Sequence, residues 1–284
     1  MSSSGGAVAD LGSRLSAAFA ARGRLCLGVD PHPFLLQQWG LDDDAAGLER
    51  FSRTVVEAAS ERIGILKPQV AFFERHGSRG YAVLERTLAD ARAAGLVTIA
   101  DAKRGDVGSS VEAYAQSWLT PGSPLESDAM TVSAFQGVGS LAAPIALARE
   151  HGKGLFVLAA TSNPEAAAVQ TATDASGTSV AAGIAAEVAA LDDRTAALSP
   201  FGLVLGATVR FADYGIDVDS LAGVPILAPG FGEQGAVFEE LPERYGAAAA
   251  STVVSVSRGI LRAGPAGLRD ELARQADRLA EVTG

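Results

Sequence analysis

With 284 residues, 48% of them hydrophobic and 20% charged, the chain can bury a sizeable core, either as two small domains or as one large α/β unit. A net charge of −10 argues against non-specific nucleic-acid binding, which needs a basic face, but still allows a small anionic substrate where positive charge is concentrated. A lone cysteine, Cys26, excludes a disulfide framework within the chain, and no run approaches the roughly 18 uninterrupted apolar residues of a membrane span.

The opening residues Met1-Ser2-Ser3-Ser4-Gly5-Gly6 lack a basic region followed by a long apolar stretch, so no signal peptide is expected. Cys26 lies in the apolar run Leu25-Cys26-Leu27-Gly28-Val29 and reads as a buried thiol, which fits a reducing, cytoplasmic setting. A leading helix over about 7–22, with Leu11, Leu15 and Phe19 on one face, is placed to close the bottom of a barrel.

Eight short apolar runs follow, at 24–29, 63–66, 96–100, 129–132, 154–158, 202–205, 224–227 and 252–256. Their hydrophobicity is continuous rather than alternating, as parallel strands covered on both faces require. Between them lie stripes at helical spacing: Leu48, Phe51, Val55; Tyr81, Leu84, Leu88, Ala91; Val180, Ile184, Val188, Leu191; and Leu268, Leu272, Leu279. Eight such units in this length predict a single-domain (β/α)8 TIM barrel over 1–284, with a doubly wound open sheet as the alternative.

A barrel demands that functional residues follow the strands. In order, the strand ends carry Asp30, then Lys67, then Asp101, Lys103 and Asp106, then Ser162, then a Gly-rich loop with Gln234, then Arg258. The stretch Asp101-Ala102-Lys103-Arg104-Gly105-Asp106 sets two acids around one amine. Residues two apart on a strand share a face, so Asp101 and Lys103 are expected side by side. Flanking acids favour the charged amine, which suits a proton donor rather than a Schiff-base lysine. The chain has three lysines, Lys67, Lys103 and Lys153, among 23 basic residues, and Lys67 and Lys103 stand at strand ends. Lysine can release a proton where arginine cannot.

The last two loops read as a phosphate site. Gly230, Gly232 and Gly235 allow backbone N–H groups to approach an anion, with a helix expected to start near Gly235, and Arg258 supplies a fork of donors from the next strand. His32, His76 and His151 are scattered and form no metal-ligand cluster with carboxylates. There is no Walker A pattern. Gly230-x-Gly232-x-x-Gly235 lacks the acidic partner of a dinucleotide site, since the following strand offers Ser255 and Ser257, so no cofactor and no metal is expected.

Together, Lys67, Asp101-x-Lys103-x-x-Asp106-Val107, Ala228-Pro229-Gly230 with Gln234, and Ser257-Arg258-Gly259 resemble the orotidine 5′-phosphate decarboxylase family, in its larger bacterial branch. The resemblance covers nearly the whole chain. It implies conversion of orotidine 5′-monophosphate to uridine 5′-monophosphate and CO2, the last step of de novo UMP synthesis. It further implies a charge network of Lys67, Asp101, Lys103 and Asp106, with Lys103 protonating C6 and Asp106 reaching into the partner subunit of a homodimer. Asp30 then matches a ribose contact, Ser162 a reader of the pyrimidine edge, and Gln234 and Arg258 phosphate contacts. Ser110 stands where the family usually has threonine, and keeps the hydroxyl. Sugar-phosphate barrels related to keto-gulonate phosphate decarboxylase and hexulose-phosphate synthase share the D-x-K-x-x-D motif but use Mg2+, and Lys67 in place of an acid disfavours them. A Schiff-base aldolase and a non-catalytic nucleotide-phosphate binder are the remaining readings. Neither nucleic acid nor membrane is an expected partner.

Overall fold

The computed structural model describes residues 9–191 and 197–283. Eight strands, β1 (Leu25–Val29), β2 (Ile65–Pro68), β3 (Val97–Arg104), β4 (Ala129–Ser133), β5 (Gly154–Ala160), β6 (Phe201–Leu205), β7 (Ile226–Pro229) and β8 (Thr252–Val256), close into a barrel in sequence order. Every neighbouring pair is parallel, and β8 returns to β1 through Leu25 opposite Val254 and Leu27 opposite Val256, which rules out the open sheet.

The uninterrupted apolar runs are explained by burial on both faces: every residue of β1, β6 and β8 is buried. Along β1, Cys26 points into the barrel beside Ile65, Ile99 and Phe156, while Leu25 and Leu27 join the layer between strands and helices. The outer helices present the expected stripes. Leu48, Phe51 and Val55 are fully buried on the helix Ala45–Arg62, as are Leu268 and Leu272 on the helix Gly264–Thr283.

One stripe is arranged differently. On the helix Val180–Ala189 the core is met by Ala181, Ala185 and Val188, with Ile184, and Leu191 just beyond the helix, packed against it, while Val180 is exposed and, with Ile184, lines the cavity at the barrel mouth.

The leading helix spans Leu11–Arg22, and Asp10 caps it by accepting the Ser13 N–H at 2.8 Å. That cap places the start later than expected, and residues 7 and 8 lie outside the described residues. Leu11 and Leu15 are fully buried among the barrel-interior side chains, plugging the bottom as predicted. A Cβ on Gly154 would lie 2.2 Å from the Pro200 carbonyl oxygen and 2.1 Å from Leu11 Cδ2, so glycine at the first residue of β5 makes room for both the neighbouring backbone and the plug. Each such leucine contributes about 2 kcal/mol of burial. Lys153 belongs to this closed end. It is buried 2.8 Å from Glu126, and Arg14 pairs with Asp128 at 2.8 Å.

Candidate active site

At the opposite end, where the strands finish, a cavity of about 660 Å³ opens among Asp30, Lys67, Asp101, Lys103, Ser162, Gln234 and Arg258. Its floor is organised around the Asp101 carboxylate. Oδ2 accepts from Lys67 Nζ at 2.9 Å and from Gln69 Nε2 at 2.9 Å. Oδ1 accepts from Lys103 Nζ at 2.5 Å and from the Thr131 hydroxyl at 3.0 Å. Each oxygen thus takes one ammonium and one neutral donor, so the buried charge is satisfied on all sides.

The pairing of Asp101 with Lys103 needs more than strand alternation. β3 runs in register with β4 as far as Ala100 opposite Met130, and the next pair is Arg104 opposite Val132. Between them the chain bulges, and Lys103, at φ 47°, is the one non-glycine residue with positive φ among the described residues. Such a conformation is strained for a side chain of this size and persists where its surroundings hold it. The Lys103 N–H is held by Thr131 Oγ1 at 2.9 Å.

Electrostatics follow from this geometry. Burial alone would lower the Lys67 ammonium, but the Asp101 charge, with Asp30 behind it, raises it above the ordinary lysine value. Burial would raise Asp101, but Lys67 and Lys103 hold it well below the usual carboxylate range. Beneath them, burial pushes the Cys26 thiol up to about 12, which makes it an inert filler. Asp30 Oδ1 and Ser257 Oγ are buried without a hydrogen-bond partner, and both residues line the cavity. Buried polar atoms without a partner call for an explanation, and their place beside the cavity is compatible with a ligand.

The glycine loop after β7 departs from expectation. Gly230, Gly232 and Gly235 all take positive φ, as only glycine does readily. The loop curls on itself, so Gly232 N–H donates to Ala236 O and Gly235 N–H to Gly232 O, both at 2.9 Å. These amides are therefore spent within the turn. No helix begins at Gly235; a 3-10 turn starts at Phe238. Side-chain donors face the cavity as well, beside the start of the helix Arg258–Leu261, where Gly259 lines it. Gln234 Oε1 accepts the Ser162 hydroxyl at 3.0 Å, leaving the Gln234 amide nitrogen to donate, and Arg258 stands half-buried without an acid partner among the described residues. A 2.8 Å ion pair from Arg262 to Glu233 ties the loop to the segment after β8.

Asp106 and Ser110 stand outside this cavity. Asp106 accepts the Val107 N–H at 2.8 Å, and Ser110 is exposed on the helix Gly108–Leu119. Among the described residues no group of His, Cys, Asp and Glu is arranged to hold a metal ion. No described helix is long and apolar enough to cross a membrane. Sequence reasoning gave no role to Thr131, Gln69 or Ser257. For Thr131 the signal was a hydroxyl within the apolar run of β4, between Met130 and Val132.

The profile of the orotidine 5′-phosphate decarboxylase / HUMPS family matches residues 23–268. The chain belongs to that family. An orotidine 5′-phosphate decarboxylase of Streptomyces coelicolor is 54% identical over 255 residues, 89% of this chain and 90% of that one. Its counterpart in Salinispora arenicola is 50% identical over 96% of this chain and 98% of its own. A solved structure from Streptomyces avermitilis superposes at a TM-score of 0.94 with 50% identity, covering 100% of this chain and 99% of that one. OMP decarboxylase from Leishmania donovani superposes at 0.76 with 26% identity, over 95% of this chain and 97% of that one. The family assignment and the barrel agree with the resemblance drawn from the motifs.

Proposed function

We propose that the protein decarboxylates orotidine 5′-monophosphate to uridine 5′-monophosphate, with Lys103 as the proton donor to C6. The observation that carries this reading is the Asp101 carboxylate held between two ammoniums on the floor of a cavity whose far rim offers Gln234 and Arg258. Loss of CO2 leaves an electron pair in an sp2 orbital at C6, with no conjugated sink. A lysine ammonium beside that carbon stabilises the charge as it forms and then quenches it by proton transfer.

The network also weighs two contributions against each other. Two carboxylates about 4 Å apart repel by about 4 kcal/mol at an effective dielectric of 20, worth about three powers of ten in rate. Asp101, however, already carries two ammonium partners, which offset its field toward a substrate carboxylate. Repulsion in the ground state is therefore the smaller effect, and stabilisation of the carbanion by Lys103 the larger.

The unpaired Asp30 Oδ1 and Ser257 Oγ suit hydroxyls of a ribose, and Ser162, while donating to Gln234, keeps lone pairs for the N–H edge of a pyrimidine. Gln234 and Arg258 take the phosphate, whose binding at a distance contributes to the chemical step. In this reading Asp106 and Ser110 serve the partner's cavity in a homodimer, which accounts for their position outside their own. The exposed Phe135 and Val107 are apolar side chains at the same end of the barrel, as such an interface uses.

The test is the fall in ultraviolet absorbance of orotidine 5′-monophosphate with the purified protein, with and without a chelator. Turnover unaffected by the chelator supports the reading. No turnover on this nucleotide, or Mg2+-dependent turnover of a sugar phosphate instead, overturns it.

A further inference from the structure

We infer that Thr131 is a positioning residue that locks the strained backbone of Lys103 to the carboxylate its side chain serves. The inference rests on the assignment of Lys103 as the proton donor. Thr131 is buried in β4, its hydroxyl accepting the Lys103 N–H at 2.9 Å and donating to Asp101 Oδ1 at 3.0 Å. A hydroxyl has one proton, so these two bonds fix its orientation: it accepts from the backbone and gives its proton to the carboxylate.

This link sits where the sheet offers no alternative. Register between β3 and β4 breaks after Ala100 and resumes at Arg104, so the Lys103 N–H has left the ladder. With φ at 47°, Lys103 adopts a conformation that an unrestrained lysine would leave. The side-chain bond of Lys103 itself, Nζ to Asp101 Oδ1 at 2.5 Å, lies at the end of a flexible side chain and does not hold the backbone. Thr131 therefore couples the bulge to the charge network: the same oxygen of Asp101 receives both the Thr131 proton and the Lys103 ammonium. Without the hydroxyl, the bulge can relax and the ammonium moves off the line to C6. Misplacement of that size costs catalysis far more than binding.

The experiment compares Thr131→Val, of equal shape without the hydroxyl, with Thr131→Ser, which keeps it, in the full-length protein. Active sites are counted by uridine 5′-monophosphate binding, so that a folding defect does not pass for a catalytic one. Thr131→Val is expected to lower kcat about 10- to 100-fold with KM within about 3-fold of wild type, and Thr131→Ser to recover most of the loss. In a Lys103→Ala background the Thr131→Val change is expected to add nothing further. A kcat within about 3-fold of wild type for Thr131→Val overturns the inference, as does equal impairment by valine and serine. Should the valine variant not fold, Thr131→Cys, similar in size and a weak donor, is read by the same kcat criterion. Lys103→Ala runs alongside. If it keeps wild-type turnover, the proton-donor assignment fails; if it is inactive while Thr131→Val is unimpaired, only the positioning role fails.

Discussion

Lys67 and Lys103 are tied to opposite oxygens of one carboxylate, Lys67 at 2.9 Å and Lys103 at 2.5 Å from Asp101. The two amines differ in surroundings. Lys67 is buried, with 7% of its side chain exposed, whereas Lys103 leaves 46% of its side chain open to the cavity. In the proposed mechanism Lys67 is the fixed counter-ion, and Lys103, the more exposed of the two, is the amine that meets the substrate.

The buried pair makes stability depend on pH in two directions. Lys67 is raised in the folded state, so its contribution is complete below the ordinary lysine value of about 10.5 and is lost as pH rises toward the raised value. Lys67→Met should be less stable than wild type by about 3 kcal/mol at pH 7. The gap in urea-unfolding free energy should narrow above about pH 10.5. Asp101 is depressed, so its contribution is complete above about pH 4 and is lost as pH falls below that. The stability gap between wild type and Asp101→Asn should therefore shrink in acid. Gaps that stay constant across both windows would contradict the coupled network.

Arg258 has no acid partner among the described residues to hold it, so its guanidinium is available to an anion. Arg258→Ala should raise KM and lower kcat/KM for the nucleotide by about 10- to 150-fold, as for loss of a charge-assisted hydrogen bond. Wild type should in turn strongly prefer the nucleotide to its nucleoside. Equal use of the two by wild type would remove the phosphate assignment.

Asp106 gives a test of sharing between subunits. If it completes the partner's site, mixing Asp106→Asn with Lys103→Ala protein restores one intact site in each mixed dimer. Activity should then rise from near zero to about a quarter of wild type after subunit exchange. Additive, unrestored activity would place Asp106 in its own chain's site or in none.

The fold was legible because parallel strands covered on both faces leave continuous apolar runs, and seven of the site's charged or polar residues lie at the ends of those runs or in the loops that follow them. Backbone events were less visible. Nothing in Asp101-Ala102-Lys103 announces that Lys103 takes φ 47° or that β3 slips against β4, because alternation assumes a regular strand. The glycines at 230, 232 and 235 signalled positive φ correctly, but whether the freed amides face a ligand or their own loop depends on the curl of the chain. Thr131 acts across strands, on residues some thirty positions away, a relation that spacing along the chain does not encode.

A close approach predicts one further variant. A Cβ on Gly28 would lie 2.8 Å from Ser257 Cβ and 3.2 Å from both carboxylate oxygens of Asp30. Gly28→Ala should push these cavity residues apart and weaken nucleotide binding, read by calorimetry with uridine 5′-monophosphate, while costing about 1–3 kcal/mol of stability. Unchanged affinity would show that Asp30 and Ser257 do not meet the ligand.

In the proposed mechanism a single ammonium on the cavity floor carries the chemistry. Turnover of orotidine 5′-monophosphate by Lys103→Ala, followed by ultraviolet absorbance beside a calorimetric measurement of uridine 5′-monophosphate binding, tests it most directly. The expected result is loss of at least about 10⁴-fold in kcat with the product still bound. Decarboxylation by that variant near the wild-type rate would contradict it.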